Sequence, residues 1–132
     1  MILVDSSVWI DYFNGKRTPQ TDWLDSSLGN TPIIIICDLV LTEVLQGFQS
    51  DKDFKTARNI LLGIPFMSIG GQALAIESAE NYRFLRKHGV TVRKTIDVII
   101  GTFCIHHRLS LLHDDRDFDP MVKLLGLEII NT

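Results

Sequence analysis

Apolar residues in this chain fall into short continuous runs, and the segments between the runs carry helical periodicity. Ile2-Leu3-Val4 ends at Asp5, and Ser6 to Phe13 then reads as a helix stopped by Asn14-Gly15. Thr18 to Leu28 is a weaker helix with Pro19 suited to its first turn. Ile33 to Cys37 is unbroken and mostly β-branched, the pattern of a strand buried on both faces. Asp38 and Asp51 are placed to cap helices running to about Phe48 and to Leu62. Pro65 to Ile69 is a short third strand. From Gln72 to Lys87, Leu74, Ala75, Ala79, Tyr82 and Leu85 recur at helical spacing until His88-Gly89 ends the helix. Thr95 can cap a helix over Ile96 to His107. Leu109 to Leu112 is the fourth strand, and Phe118 to Leu125 is a short helix ahead of Gly126. Leu127 to Ile130 is the fifth strand.

Apolar strands alternating with helices predict an α/β fold, a three-layer α/β/α sandwich around a central, mostly parallel sheet of about five strands. With 132 residues and no linker, repeat or low-complexity stretch, the expectation is one domain over 1–132. A composition of 45% hydrophobic and 22% charged residues excludes a disordered or fibrous chain. Cys37 and Cys104 lie in apolar runs and are expected as buried free thiols in a reducing compartment. No apolar stretch approaches the roughly 20 residues that span a bilayer, and no basic-then-apolar leader opens the chain. A cytoplasmic protein without a membrane partner is the expectation.

Charge complicates this picture. The formal net charge of −3 argues against generic coating of nucleic acid. Yet no acid lies between Glu80 and Asp97, where Arg83, Arg86, Lys87, Arg93 and Lys94 form a basic strip. Acids crowd instead at Asp114, Asp115, Asp117 and Asp119. In parallel sheets the ligand site lies beyond the carboxyl ends of the strands, where strand order switches. Asp5 follows the first strand, and Asp115 and Asp117 follow the fourth; they meet only if those strands are neighbours. Glu43 has Leu39, Val40 and Gly47 at helical spacing, so it sits near an apolar face. Asp97 opens the nearly all-apolar Ile96-Asp97-Val98-Ile99-Ile100-Gly101.

An unpaired buried carboxylate costs several kcal/mol. Only Arg108 and Arg116 stand near the later acids in sequence, so the economical compensation is a hard divalent cation, Mg2+ or Mn2+, held by several oxygens. Such ions activate water and stabilise a leaving oxygen on phosphate, while a basic strip holds flanking phosphates. Neutralising Asp5, Glu43, Asp97, Asp115 and Asp117 turns the balance slightly positive, which removes the objection to a nucleic-acid substrate. Plainer readings stand beside each residue. Asp5 is a good N-cap, Ser7 a helix-start serine, Asp115 and Asp117 loop acids, and the strip a solvated face. Glu43 can reach water from a helix edge. No Gly-x-Ser-x-Gly, Walker or paired-cysteine zinc spacing is present.

Four segments together resemble a family. Ile2-Leu-Val-Asp5-Ser-Ser-Val-Trp-Ile-Asp-Tyr-Phe13, Leu41-Thr-Glu43-Val-Leu-Gln-Gly47, Thr95-Ile-Asp97-Val-Ile-Ile-Gly101 and Leu111-Leu-His-Asp-Asp115-Arg-Asp117-Phe118 are similar to the acidic motifs of the PIN domain, in family order. The opening motif and short length resemble the VapC toxins of bacterial VapBC toxin–antitoxin pairs in particular. The resemblance implies a Mg2+-dependent endoribonuclease, with Mn2+ as substitute, that hydrolyses RNA phosphodiester bonds with a metal-activated water. It implies tRNA or ribosomal RNA as the substrate class, a homodimer, and a VapB-like antitoxin as partner. By position the acid quartet falls on Asp5, Glu43, Asp97 and Asp115, with Asp117 an assisting acid and Ser7 a small polar residue beside the metal water. His113 stands where the family usually has Thr or Ser. The competing expectations are a small metal-dependent phosphatase or phospho-acceptor domain, and a non-catalytic partner-binding module.

Overall fold

The computed structural model describes residues 1–132. Its elements are β1 (Ile2–Val4), α1 (Ser6–Phe13), α2 (Pro19–Ser27), β2 (Ile34–Cys37), α3 (Asp38–Leu45), α4 (Asp51–Leu62), β3 (Phe66–Met67), α5 (Gln72–Lys87), α6 (Thr95–His107), β4 (Ser110–Leu112), a 3-10 turn at Arg116–Phe118, and α7 (Asp119–Leu125). The four strands form a parallel sheet in the order β3-β2-β1-β4. Helices cover it as a three-layer α/β/α fold, with α1 packing on α2 and α3, and α5 packing on α6 and α7.

All of β1 and β2 is buried, which is why these strands read as continuous apolar runs rather than alternating ones. Trp9, Phe103, Phe118, Leu3, Ile35 and Leu111 are among the largest fully buried side chains. Each such group contributes about 1.5–3 kcal/mol relative to exposure. Trp9 stacks on Phe13 with ring centroids 5.9 Å apart, and Phe13 meets Phe48 edge-on at 5.8 Å. Cys37 and Cys104 are buried free thiols, and burial pushes Cys37 up to about 11 and Cys104 further upward. Buried Gly101 allows α6 to approach α7, because a Cβ there would lie 2.5 Å from the Met121 sulfur.

Several expected boundaries differ. The fifth strand is reduced to an isolated parallel bridge, Leu111 with Ile129. Leu111 N donates to Glu128 O and Ile130 N to Leu111 O. The third strand shrinks to Phe66–Met67 at the sheet edge, and α3 stops at Leu45 rather than Phe48. Asp38 lies inside the first turn of α3 instead of capping it; its Oδ1 accepts the Ile69 N–H at 2.9 Å and ties α3 to the chain after β3. Ser50, not Asp51, caps α4 through the Asp53 N–H. Lys94, not Thr95, holds the cap position of α6 and makes no side-chain capping bond. The remaining helices lie within a residue of expectation.

α6 ends at Arg108, which has φ 55° and ψ 44°, and Leu109 N then donates to Cys104 O as the chain turns toward β4. A left-handed conformation costs an L side chain roughly 1–2 kcal/mol, part of which glycine recovers after its own entropy loss. Arg108→Gly is therefore expected to raise unfolding free energy by about 0.5–1 kcal/mol in urea titrations. A loss of stability would show that the exposed arginine makes a compensating contact.

Candidate metal centre

Strand order decides what meets. β1 neighbours β4, with Val4 opposite Leu112, and Asp5 N donates to Leu112 O at 2.9 Å. The residues following both strands thus emerge at one edge, where strand order reverses between β1 and β4. Asp5 is 3% exposed. Its Oδ2 accepts from the Ser7 N–H at 3.1 Å and the Ser7 hydroxyl at 2.6 Å, while Oδ1 is buried without a partner. Asp5 is therefore the N-cap of α1, and it still has one oxygen to offer. The Ser7 oxygen also accepts the Asp114 N–H at 3.1 Å, which pins the start of α1 to the chain after β4.

Asp97, on the first turn of α6, is 5% exposed. Its Oδ2 is buried with no hydrogen bond, although Lys94 Nζ lies 3.4 Å away. Asp115 caps the 3-10 turn by accepting the Asp117 N–H at 2.9 Å, and its other oxygen accepts from Lys94 Nζ at 3.0 Å. Oxygens of Asp97, Asp115 and Asp117 gather within 4.8 Å of one another. Glu43 is half-buried on α3, and its Oε1 accepts from the Ser6 hydroxyl at 3.3 Å. Asp5 and Glu43 lie outside that group of three but feel each other's charge, and Asp97 feels that of Asp5. His113 does supply a contact where a hydroxyl was expected: its Nδ1 accepts the Asp115 N–H at 3.2 Å and its ring rests 5.0 Å from that of Phe118.

The basic strip divides. Lys94 and Arg93 reach the acids, Arg93 at 3.8 Å from Asp117. With Arg116 and Asp115 they line an open polar basin of about 810 Å³ that has no hydrophobic side chain in its wall. Arg83, Arg86 and Lys87 are exposed on α5 and do not line it; Arg83 borders an apolar groove between α5 and α6, and Arg86 lies over the Tyr82 ring. Lys94 also corrects the expectation that Arg108 and Arg116 are the only cations near the later acids. Arg108 closes the far end of α6, about 16 Å from Asp97 by helix rise. The signal that finds Lys94 is its three-residue spacing ahead of Asp97, which sets a cap-position side chain beside the first turn of α6.

A PIN-domain family model matches residues 2–124. The chain belongs to the PIN-domain family. The expected likeness to VapC-type toxin ribonucleases is also found. This PIN domain is 28% identical to Ribonuclease VapC11 of Mycobacterium tuberculosis over 129 residues, covering 97% of this chain and 96% of the relative. VapBC2 from Rickettsia felis, solved bound to a promoter DNA fragment, superposes with a TM-score of 0.77 at 16% identity, over 100% of this chain and 99% of that one. A toxin–antitoxin complex from Klebsiella pneumoniae gives 0.68 at 20% identity, over 99% and 97%. At these identities the solved structures establish the fold. No helix is long and apolar enough to cross a membrane.

The carboxylates fit a hard divalent cation. All donors are oxygens, and buried oxygens of Asp5 and Asp97 lack hydrogen-bond donors. Burial raises the Asp97 carboxyl to about 6, against the opposing pull of Lys94. Burial likewise raises Asp5 and Glu43. Asp115 moves the other way: burial is outweighed by the Asp117 N–H and the Lys94 ammonium, which together hold it below the usual range.

A carboxyl whose pKa is raised on folding binds more protons folded than unfolded, so its contribution to stability falls as pH rises through that window. For Asp97 the window runs from 3.8 to about 6. Without divalent metal, the protein is expected to lose stability from this group between pH 4 and 7. Asp97→Asn should gain about 1–3 kcal/mol at pH 7 in EDTA and flatten that slope, as a shift of this size implies. Urea titrations across the range check this; a destabilised Asp97→Asn at pH 7 would contradict it. Asp115, being depressed, costs stability only at more acid pH.

Proposed function

We propose that this PIN domain is a Mg2+-dependent endoribonuclease, the toxin of a VapBC-type toxin–antitoxin pair. The observation carrying this reading is the convergence of Asp97, Asp115 and Asp117 beside buried Asp5, at the switch in strand order. Asp97, Asp115 and Asp117 would hold the ion, with Asp5 and Glu43 completing the acidic wall directly or through water. A bound Mg2+, or Mn2+ in its place, supplies nucleophilic water at neutral pH and stabilises charge on the departing oxygen of a phosphodiester.

The protein's own residues do the positioning. Ser7 fixes Asp5 with a 2.6 Å hydrogen bond and couples it to the loop that carries Asp115. His113 fixes the backbone of Asp115. Arg93 and Arg116, on the wall of the polar basin, face where flanking phosphates would lie. The 28% identity to a relative named as a ribonuclease supports RNA as substrate; tRNA or ribosomal RNA is the class that the family resemblance implies. The toxin–antitoxin complex among the solved relatives supports a VapB-like antitoxin partner. Exposed Ile76 and Phe84 share one face of α5 and offer an apolar surface for a homodimer. The phosphatase alternative needs a lysine near the last strands, and Lys123 lies exposed on α7 without an acid partner among the ion pairs.

Antitoxin-free protein is incubated with mixed cellular RNA in Mg2+, Mn2+ or EDTA, beside Asp5→Asn and Asp97→Asn. Discrete fragments with 5′-phosphate ends are expected with either metal and not with EDTA. Each variant should lose at least about 100-fold in rate, since the metal contributes several kcal/mol to the transition state. Intact RNA in every lane, with turnover of an aryl phosphate, would replace this reading with the phosphatase one.

A further inference from the structure

Lys94 occupies the cap position of α6 with an extended backbone, φ −135° and ψ 117°, and its side chain makes no capping hydrogen bond. Its ammonium instead lies 3.0 Å from Asp115 Oδ2, 3.4 Å from Asp97 Oδ2 and 4.0 Å from Asp117 Oδ2. These are the same three residues whose oxygens gather within 4.8 Å of one another. No other cation pairs with Asp97 or Asp115; Arg93 pairs only with Asp117. Glu43, on α3, also feels the charge of Lys94.

We propose that Lys94 is a built-in competitor for the divalent cation, neutralising the acids in the metal-free protein and leaving them when metal binds. The proposal rests on the metal-site reading above. An ammonium and a divalent cation cannot share three carboxylates at such distances, because each is repelled by the other at short range in a partly dry site. Lysine is suited to leaving: its charge is compact and strongly hydrated, and its stem is flexible. The Lys94 side chain is 50% exposed, so its path to water is open. That path leads into the basin shared with Arg93 and Arg116. Metal binding thus releases a further cation, beside Arg93 and Arg116, to the wall that would face phosphates. By linkage, occupancy of either site then favours the other.

The test uses the folded full chain. Mn2+ affinity is measured by calorimetry, and by the paramagnetic resonance of free Mn2+, for wild type, Lys94→Gln, Lys94→Arg and Asp97→Asn, with melting temperatures in EDTA. Lys94→Gln is expected to bind Mn2+ at least about fivefold more tightly than wild type and to melt lower without metal. Lys94→Arg, which keeps the charge, is expected to stay close to wild type. In a lysine-detected 15N spectrum of wild type, the Lys94 side-chain resonance, assigned by its loss in Lys94→Gln, should move to the free-ammonium position as Mg2+ is added. Unchanged or weaker Mn2+ affinity in Lys94→Gln overturns the competitor role. So does a Lys94 resonance that holds its position at saturating Mg2+, a result that stands even where Lys94→Gln fails to fold, because loss of the signal in charge-keeping Lys94→Arg assigns it as well. No Mn2+ binding by wild type overturns the metal-site reading itself, and the proposal with it.

Discussion

Everything at the acidic edge depends on the parallel pairing of β1 with β4. Asp5 N donates to Leu112 O, so the ladder extends to the acid itself, and the segments leaving both strands are held side by side. Ser7 then closes the junction, donating to Asp5 and accepting from Asp114 N. Had β4 joined the sheet at its other edge, beside β3, Asp5 and Asp115 would be separated by β2 and β3. The apolar content of β1 and β2 fixes this geometry indirectly, because strands buried on both faces take the centre of a sheet.

That junction gathers like charges where water is scarce, and the acids divide by how many donors each has found. Asp115 accepts from both a backbone N–H and an ammonium and is held in its charged form. Asp97, on an otherwise apolar helix, has a cation near but not bonded to its buried oxygen, and burial prevails. Asp5 has its Ser7 bonds on one oxygen and none on the other. The imbalance is a local cost to folding, and it is the asymmetry that a cation with several open coordination positions relieves. Stability and binding competence oppose each other at these side chains.

The order and type of the helices were legible, because helical periodicity is a local property of sequence. The position of Asp97 was legible too, since an acid opening an apolar helix is a local conflict of patterns. Strand order was not, and with it went the knowledge that Asp5 faces the β4 end. The run at 127–130 has strand composition, yet it forms only one bridge, Leu111 with Ile129. Caps also misled: Asp38 and Thr95 are good capping types, but Asp38 is drawn to the Ile69 N–H across the sheet edge. The PIN-domain motifs found the acids together because a family pattern carries the tertiary arrangement that one sequence alone does not.

The basic strip shows most clearly where linear charge reading stops. Arg83, Arg86, Lys87, Arg93 and Lys94 form one acid-free window in sequence, but the end of α5 lies inside it. The first three are carried away on that helix, while the last two fall in the connection that enters α6. Only there does a cation, at the cap of α6, come within three residues of a buried acid. A charge run is therefore not a unit of function. Its members are sorted by the nearest helix boundary, and here that boundary separates exposed α5 cations from the two that control the electrostatics of the acidic site.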